Sequence, residues 1–333
     1  MVLMVSNGSC NSWWMVGFTI DNMVVRVAEV VMEGDCVDAA LIYVDDVVLV
    51  GNNMIKIQHI KSELDKRFSI KDRGVLKYFL GIEVAHTQEG LVLNQRKYIL
   101  DILADCGLEE CRPNSFPIKQ NHKLDRSANE PQVDAGRYRR IIGRLLYLQG
   151  TRPDIAYSVS ILSQFMADPR QPQMDAMYRV LRYLKATPGL GVLFPRTGGF
   201  SLTGYCNSDW LGCPYRRRSR TGYVLLLGGA PISWKTKKQS VVSRSSAEAE
   251  YRSMASTVSE ILWIPNNPVF HERTKHVEMD CYFVREPVDS KEIQPYPIDT
   301  KMQIADILTK GLGTQQLRFL LDKLGTRNLH APA

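Results

Sequence analysis

No stretch of this chain approaches the ~18 consecutive apolar residues that a membrane-spanning helix needs, and no segment is repeated or of low complexity. The apolar start, "MVLMVSNGSCNSWWMVG", has no basic residues ahead of it, which argues against a signal peptide. Cysteines are few and badly placed for pairing. The seven of them (Cys10, Cys36, Cys106, Cys111, Cys206, Cys213, Cys281) are odd in number and irregular in spacing, which argues against a disulfide framework and for a reducing compartment. The expectation is an intracellular protein, in cytoplasm or nucleus, with no membrane association.

What is present is a globular composition: 333 residues, 44% hydrophobic and 23% charged, enough for two or three modest domains. The net charge of +7 is unevenly placed. Nine basic residues lie between Leu211 and Arg252 (Arg216, Arg217, Arg218, Arg220, Lys235, Lys237, Lys238, Arg244, Arg252), against two acidic ones, Glu248 and Glu250. Such a segment is either a solvated charged face or the binding surface of a polyanion.

The run "ALIYVDDVVLVGNN" sets Asp45 and Asp46 inside aliphatic sequence that reads as buried strand. Burying one carboxylate is costly, and two neighbours repel, so a partner is required. The run breaks at Tyr43–Asp46 into two short strands, a hairpin with the carboxylates at its turn. In the following "IQHIKSELDKRF", Ile57, Ile60, Leu64 and Phe68 recur as an amphipathic helical stripe. "KYFLGIEVAHTQEGLVLNQ" predicts two strands joined at Gln88–Gly90, and "RKYILDILADCG" a helix stopped at Gly107. A linker with Pro113, Pro117 and Pro131 leads to three helices. The first carries Tyr138, Ile141, Ile142, Leu145 and Leu146 on one face; the second starts at Pro153; the third ends at Pro188–Gly189. Beyond Gly198–Gly199, two strand segments precede a helix, "SSAEAEYRSMASTVSEILWI", with Ser245 or Ser246 as its N-cap. Trp210 and Trp234 read as core rather than as base-stacking platforms.

The blocks "YVDDVVLVGNN", "FSIKDRGVLKYFLGIEV", "TRPDIAYSVSILSQFM", "VLRYLKATPGLG" and "SDWLGCPYRRRSRTGYVLLLGGAPISWKTKKQSVVSRSSAEAEYRSMA" together resemble the C-terminal part of the Pol polyprotein of copia-type long-terminal-repeat retrotransposons, its reverse transcriptase and ribonuclease H. The resemblance implies an α/β (α+β) chain. Residues 1–32 form a poorly defined segment, 33–118 a residual palm and 119–197 a helical thumb or connection. An incomplete ribonuclease H-like domain covers 198–312, with an internal deletion near 264–268, and 313–333 form a tail.

In that family the Tyr-x-Asp-Asp turn holds magnesium ions beside the primer end, which would offset the carboxylate repulsion. Asp45 would be the direct ligand, Asp46 the supporting one, and Tyr43 would pack under the primer. The partner aspartate, expected about a hundred residues upstream, is missing; Asp21 is its sole imitation. In the ribonuclease H half the resemblance implies four acids around Mg2+. Where the first should stand, "YCNSDW" places Asn207, a poor substitute for a carboxylate between divalent cations, with Asp209 two residues on. The second is Glu250, or else Glu248; these lie about 200° apart on the helix, so only one faces the site. The third is expected to be lost with a core strand, which would leave unpaired sheet edges. The fourth is Glu278 or Asp280. His271, His276 and Cys281 lack a fourth zinc ligand.

Three functions follow: a catalytically silent remnant, a residual magnesium-dependent ribonuclease H using Asp209, Glu250 and Asp280, or a non-catalytic module. The last would hold RNA, DNA or their hybrid through Arg216, Arg217, Arg218, Arg220, Lys235, Lys237, Lys238 and Arg244.

Overall fold

The computed structural model describes residues 2–5, 26–33, 36–43, 46–51, 53–68, 70–122, 124, 130–213, 217–266 and 284–329. The chain divides into two compact units, one of residues 7–79 and one of residues 1–6 with 80–333.

The smaller unit holds a three-stranded antiparallel sheet of β2 (Arg26–Glu33), β3 (Cys36–Tyr43) and β4 (Asp46–Gly51), with β1 (Val2–Val5) belonging to the other unit. The hairpin expected from the apolar run is present: β3 and β4 pair from Asp38↔Gly51 to Tyr43↔Asp46, leaving a two-residue connection. Helix α1 (Met54–Phe68) follows, its first turn capped by the Asn53 side chain, which accepts from the Ile55 and Lys56 N–H groups. Of the expected apolar stripe only Ile57 is fully buried, and Phe68 is 71% exposed.

The two-residue β5 (Tyr78–Phe79) ends the smaller unit. In the larger unit β6 (Ile82–His86) and β7 (Gly90–Asn94) form the second expected hairpin. β7 pairs with β8 (Leu190–Pro195), and β8 with β13 (Thr326–Asn328). Helices α2 (Arg96–Asp105), α3 (Ala135–Leu148), α4 (Pro153–Leu162) and α5 (Gln171–Ala186) supply most of the core. Asp134 caps α3 by accepting from the Gly136 and Arg137 N–H groups at 2.8 and 3.0 Å. The buried face of α3 is Tyr138, Ile141, Ile142, Leu145 and Leu148. Leu148 thus takes the place read for Leu146, which is 41% exposed, because it lies three residues past Leu145 and continues the buried stripe.

Helix α7 (Thr314–Lys323) buries Leu317, Leu320 and Leu321 in the same core, so residues 313–333, read as a tail, contain a packed helix and a paired strand. At the start of α4, Arg152 and Asp154 are both fully buried. Arg152 Nε and Nη2 donate to the two Asp154 carboxylate oxygens at 3.0 and 2.7 Å, Arg152 Nη1 donates to Thr187 O, and Tyr183 donates to Asp154 Oδ2 at 2.7 Å. This pair is bidentate and its remaining valences are met, the condition under which buried charges persist.

The second sheet runs β11-β10-β9-β1-β12, with β9 Leu202–Asp209, β10 Arg220–Leu227, β11 Ala230–Lys238 and β12 Gln294–Tyr296. Helix α6 (Ser246–Asn266) covers one face; α4 and a 3-10 segment, Ile304–Leu308, cover the other. On the side away from β10, β9 pairs antiparallel with β1, from Val2↔Tyr205 to Val5↔Leu202.

Candidate functional site

The polar residues expected for catalysis gather at the end of β9. With strand period two, Tyr205, Asn207 and Asp209 share the face that meets the 3-10 segment. Gly222, beside Asn207 in the β10 register, lets that segment lie against the sheet: a Cβ there would come within 2.7 Å of Thr309 Cγ2 and 2.9 Å of Leu308 Cβ. Gln303 holds the segment's other end, donating to Cys206 O at 3.0 Å and capping Ala305 N–H.

The consequence is a contact spanning about a hundred residues of sequence. Asn207 Nδ2 donates to Asp306 Oδ1 at 2.7 Å and lies 2.9 Å from Thr309 Oγ1. Lys310 Nζ sits 2.8 Å from Asp306 Oδ2, an ion pair across one helical turn. From α6, Glu250 Oε1 accepts the Ser208 N–H at 3.2 Å, and Ser253 donates to Asn207 O at 2.7 Å.

Burial raises the pKa of Glu250, of Asp306 and of Asp209. Asp306 adds to the rise at the other two, while Lys310 works against it at all three. Glu248 does different work. Its carboxylate accepts from the Arg244 N–H and from the Arg252 guanidinium, and its own N–H donates to Ser245 Oγ. Ser245 is thereby the N-cap, and Glu250 is the acid of the pair that reaches β9.

Asp306 and Lys310 were not found by reading the sequence. The available signal was the spacing of "IADILTK", an aspartate in an apolar run with a lysine four residues on. Glu278 and Asp280 lie outside the described residues, as do Asp45, Arg216, Asp21, His271, His276 and Cys281. Asp46 is exposed beside the hairpin turn.

The donor set does not suit a divalent cation. The Asn207 amide turns its N–H groups toward Asp306, and the Lys310 ammonium already supplies positive charge to that carboxylate. Among the described residues no group of three or more His, Cys, Asp or Glu could hold a metal ion.

The basic segment separates into two kinds of residue. Arg217, Lys235, Lys237 and Arg244 are exposed, and Arg218 and Lys238 half-buried. Arg220 is 5% exposed, because β10 is covered on both faces. It is not a surface cation. Trp210, expected in the core, is 45% exposed at the turn after β9, its indole donating to Ser243 O. Trp234 is packed against the core and donates to Gln149 O. No helix among the described residues is long and apolar enough to cross a membrane.

Residues 15–120 match the family described as reverse transcriptase (RNA-dependent DNA polymerase). The chain is 38% identical over 323 residues to the retrovirus-related Pol polyprotein from transposon RE1 of Arabidopsis thaliana, covering 89% of this chain and 22% of that protein. It is 41% identical over 224 residues to the uncharacterized mitochondrial protein AtMg00810 of the same plant, covering 67% of this chain and 92% of that one. Against the putative transposon Ty5-1 protein YCL074W of Saccharomyces cerevisiae it is 33% identical over 223 residues, 66% of this chain and 72% of the relative. The chain thus spans about a fifth of the length of the plant Pol polyprotein it matches. No solved structure matches it.

Proposed function

Because the chain belongs to the Pol polyproteins of copia-type retrotransposons, with a reverse-transcriptase segment in its N-terminal third, we propose that it is a catalytically silent remnant of that assembly which still binds nucleic acid. In this reading the C-terminal sheet descends from a ribonuclease H. The observation that carries silence is the Asn207–Asp306 contact: a neutral amide donates where a two-metal site needs a second carboxylate oxygen. Lys310 neutralises what charge remains.

Binding tolerates loss better than catalysis does. Phosphate contacts come from many independent cations, and each one neutralised adds about −0.9 to the slope of log affinity against log salt on duplex DNA. Lys235 and Arg244 remain exposed, as does Arg217, three residues before β10.

The test uses the full chain with an RNA–DNA hybrid. Binding should weaken with salt at a slope equivalent to roughly three to five contacts, with no cleavage in magnesium or manganese. Replacing Arg217, Lys235 and Arg244 with alanine should flatten the slope. Metal-dependent cleavage lost in Glu250→Gln would overturn silence; a salt-independent affinity would overturn binding.

A further inference from the structure

The buried Arg220 opens onto a cavity of about 440 Å³ between α4 and the sheet, a volume in the range of small-molecule sites. Its guanidinium is nearly solvent-free, yet no carboxylate lies within ion-pair distance of it among the described residues. Its Nη1 donates to Ser160 Oγ at 2.8 Å and to Thr236 Oγ1 at 3.2 Å, and its carbon centre sits 5.5 Å from the Tyr157 ring centroid. Hydroxyl oxygens and a ring face orient a guanidinium without cancelling its charge. Asp209, its register partner on β9, lines the same cavity and acts on Arg220 through space, but that carboxylate lies against Gly212, where an added Cβ would fall 1.6 Å from Asp209 Oδ2, and forms no ion pair with Arg220. Asp209 offsets only part of the charge of this cation. Burying a cation without a direct ion pair is costly, and here its open side is a cavity.

The rest of the wall fits one class of occupant. Arg218, Lys237 and Lys238 add three more positive groups, and Tyr157, Phe165 and His122 add aromatic surface, with His122 Nε2 held 3.1 Å from Tyr157 Oη. Cations on one side and flat rings on the other suit a phosphate joined to a base. We propose that this cavity binds a nucleoside phosphate, with the phosphate on Arg220 and Lys237 and the base against the aromatic side. This goes beyond the reading of the surface: exposed cations follow any duplex backbone, whereas a half-open pocket of this volume admits a single nucleotide unit. The unit is either a free nucleotide or the end of a strand.

Calorimetric titration of the full chain with adenosine monophosphate, adenosine and inorganic phosphate tests this. The monophosphate should bind with measurable heat at millimolar concentration, adenosine should not, and phosphate should compete. Arg220→Met should weaken binding roughly tenfold or more, the scale of one charge-assisted hydrogen-bond set, and Lys237→Ala several-fold. Lys97→Ala, at an exposed lysine of α2 that does not line the cavity, should leave it unchanged. If circular dichroism shows Arg220→Met unfolded, the paired variant Arg218→Ala with Lys237→Ala decides instead. A 5′-phosphorylated oligonucleotide that displaces the monophosphate identifies a strand end as the source; failure to displace identifies a free nucleotide. Absence of monophosphate binding, or equal binding by the folded cavity variants, overturns the proposal. Neither outcome depends on hybrid binding at the surface, which the salt titration reads separately.

Discussion

Replacing Asn207 with aspartate tests the arrangement at the end of β9 most directly. The amide nitrogen that donates to Asp306 Oδ1 at 2.7 Å becomes a carboxylate oxygen at about the same place. Two unit charges some 4 Å apart repel by roughly 4 kcal/mol at the effective dielectric of a partly shielded site. Lys310 offsets part of this, so Asn207→Asp should lose on the order of 2–3 kcal/mol of stability at neutral pH without metal.

The loss should depend on pH in a stated direction. Like charge raises the pKa of the new pair, so the folded state holds a proton that the unfolded state has released. Stability should therefore be regained as pH falls toward about 4, the unfolded carboxylate value, and lost as it rises. A divalent cation should restore it at neutral pH, since a ligand at a hundred times its Kd stabilises by about 2.7 kcal/mol. Urea unfolding of variant and parent, each with and without millimolar magnesium or manganese, reads all of this. A variant as stable as the parent without metal and indifferent to pH would refute the Asn207–Asp306 contact. Equal stabilisation of the parent by metal would refute the view that Lys310 already fills the cationic role.

Three further outcomes follow from the same structure. Asp154→Asn, which leaves the fully buried Arg152 guanidinium without its charge partner, should cost about 3–5 kcal/mol in urea unfolding. Asp134→Ala removes the acceptor for the first-turn N–H groups of α3 and should lower the urea midpoint, by less than Asp154→Asn does. In the parent protein Glu250, Asp306 and Asp209 all titrate above their ordinary range because of burial. Their contribution is most favourable when protonated and declines as pH rises from about 4 through the folded values; Glu250→Gln should make the urea midpoint less dependent on pH there.

The sequence was most legible where one local rule decides the outcome. The 39–50 hairpin, the 82–94 hairpin and the N-terminal turn of α4 at Pro153 each rest on a short pattern of apolar residues bounded by turn or proline signals. It was least legible where residues far apart meet. Asp306 reaches Asn207 only because Gly222 lets a 3-10 segment lie on the sheet, and no periodicity links those three positions. Arg220 was misread for a related reason. It ends a run of basic residues and looks solvated beside them, yet it also opens "RTGYVLLL", a strand apolar on both faces. A residue starting such a strand enters the interior with it, whatever its charge. The two readings of Arg220 lead to different chemistry: as a surface cation it adds one increment to a salt slope, while as a buried one it demands an anion. Its hydroxyl partners, the ring of Tyr157 and the cavity beyond them favour the second. Arg220, one of eight cations that sequence alone assigned to nucleic-acid binding, is thus one whose loss should leave duplex binding nearly intact.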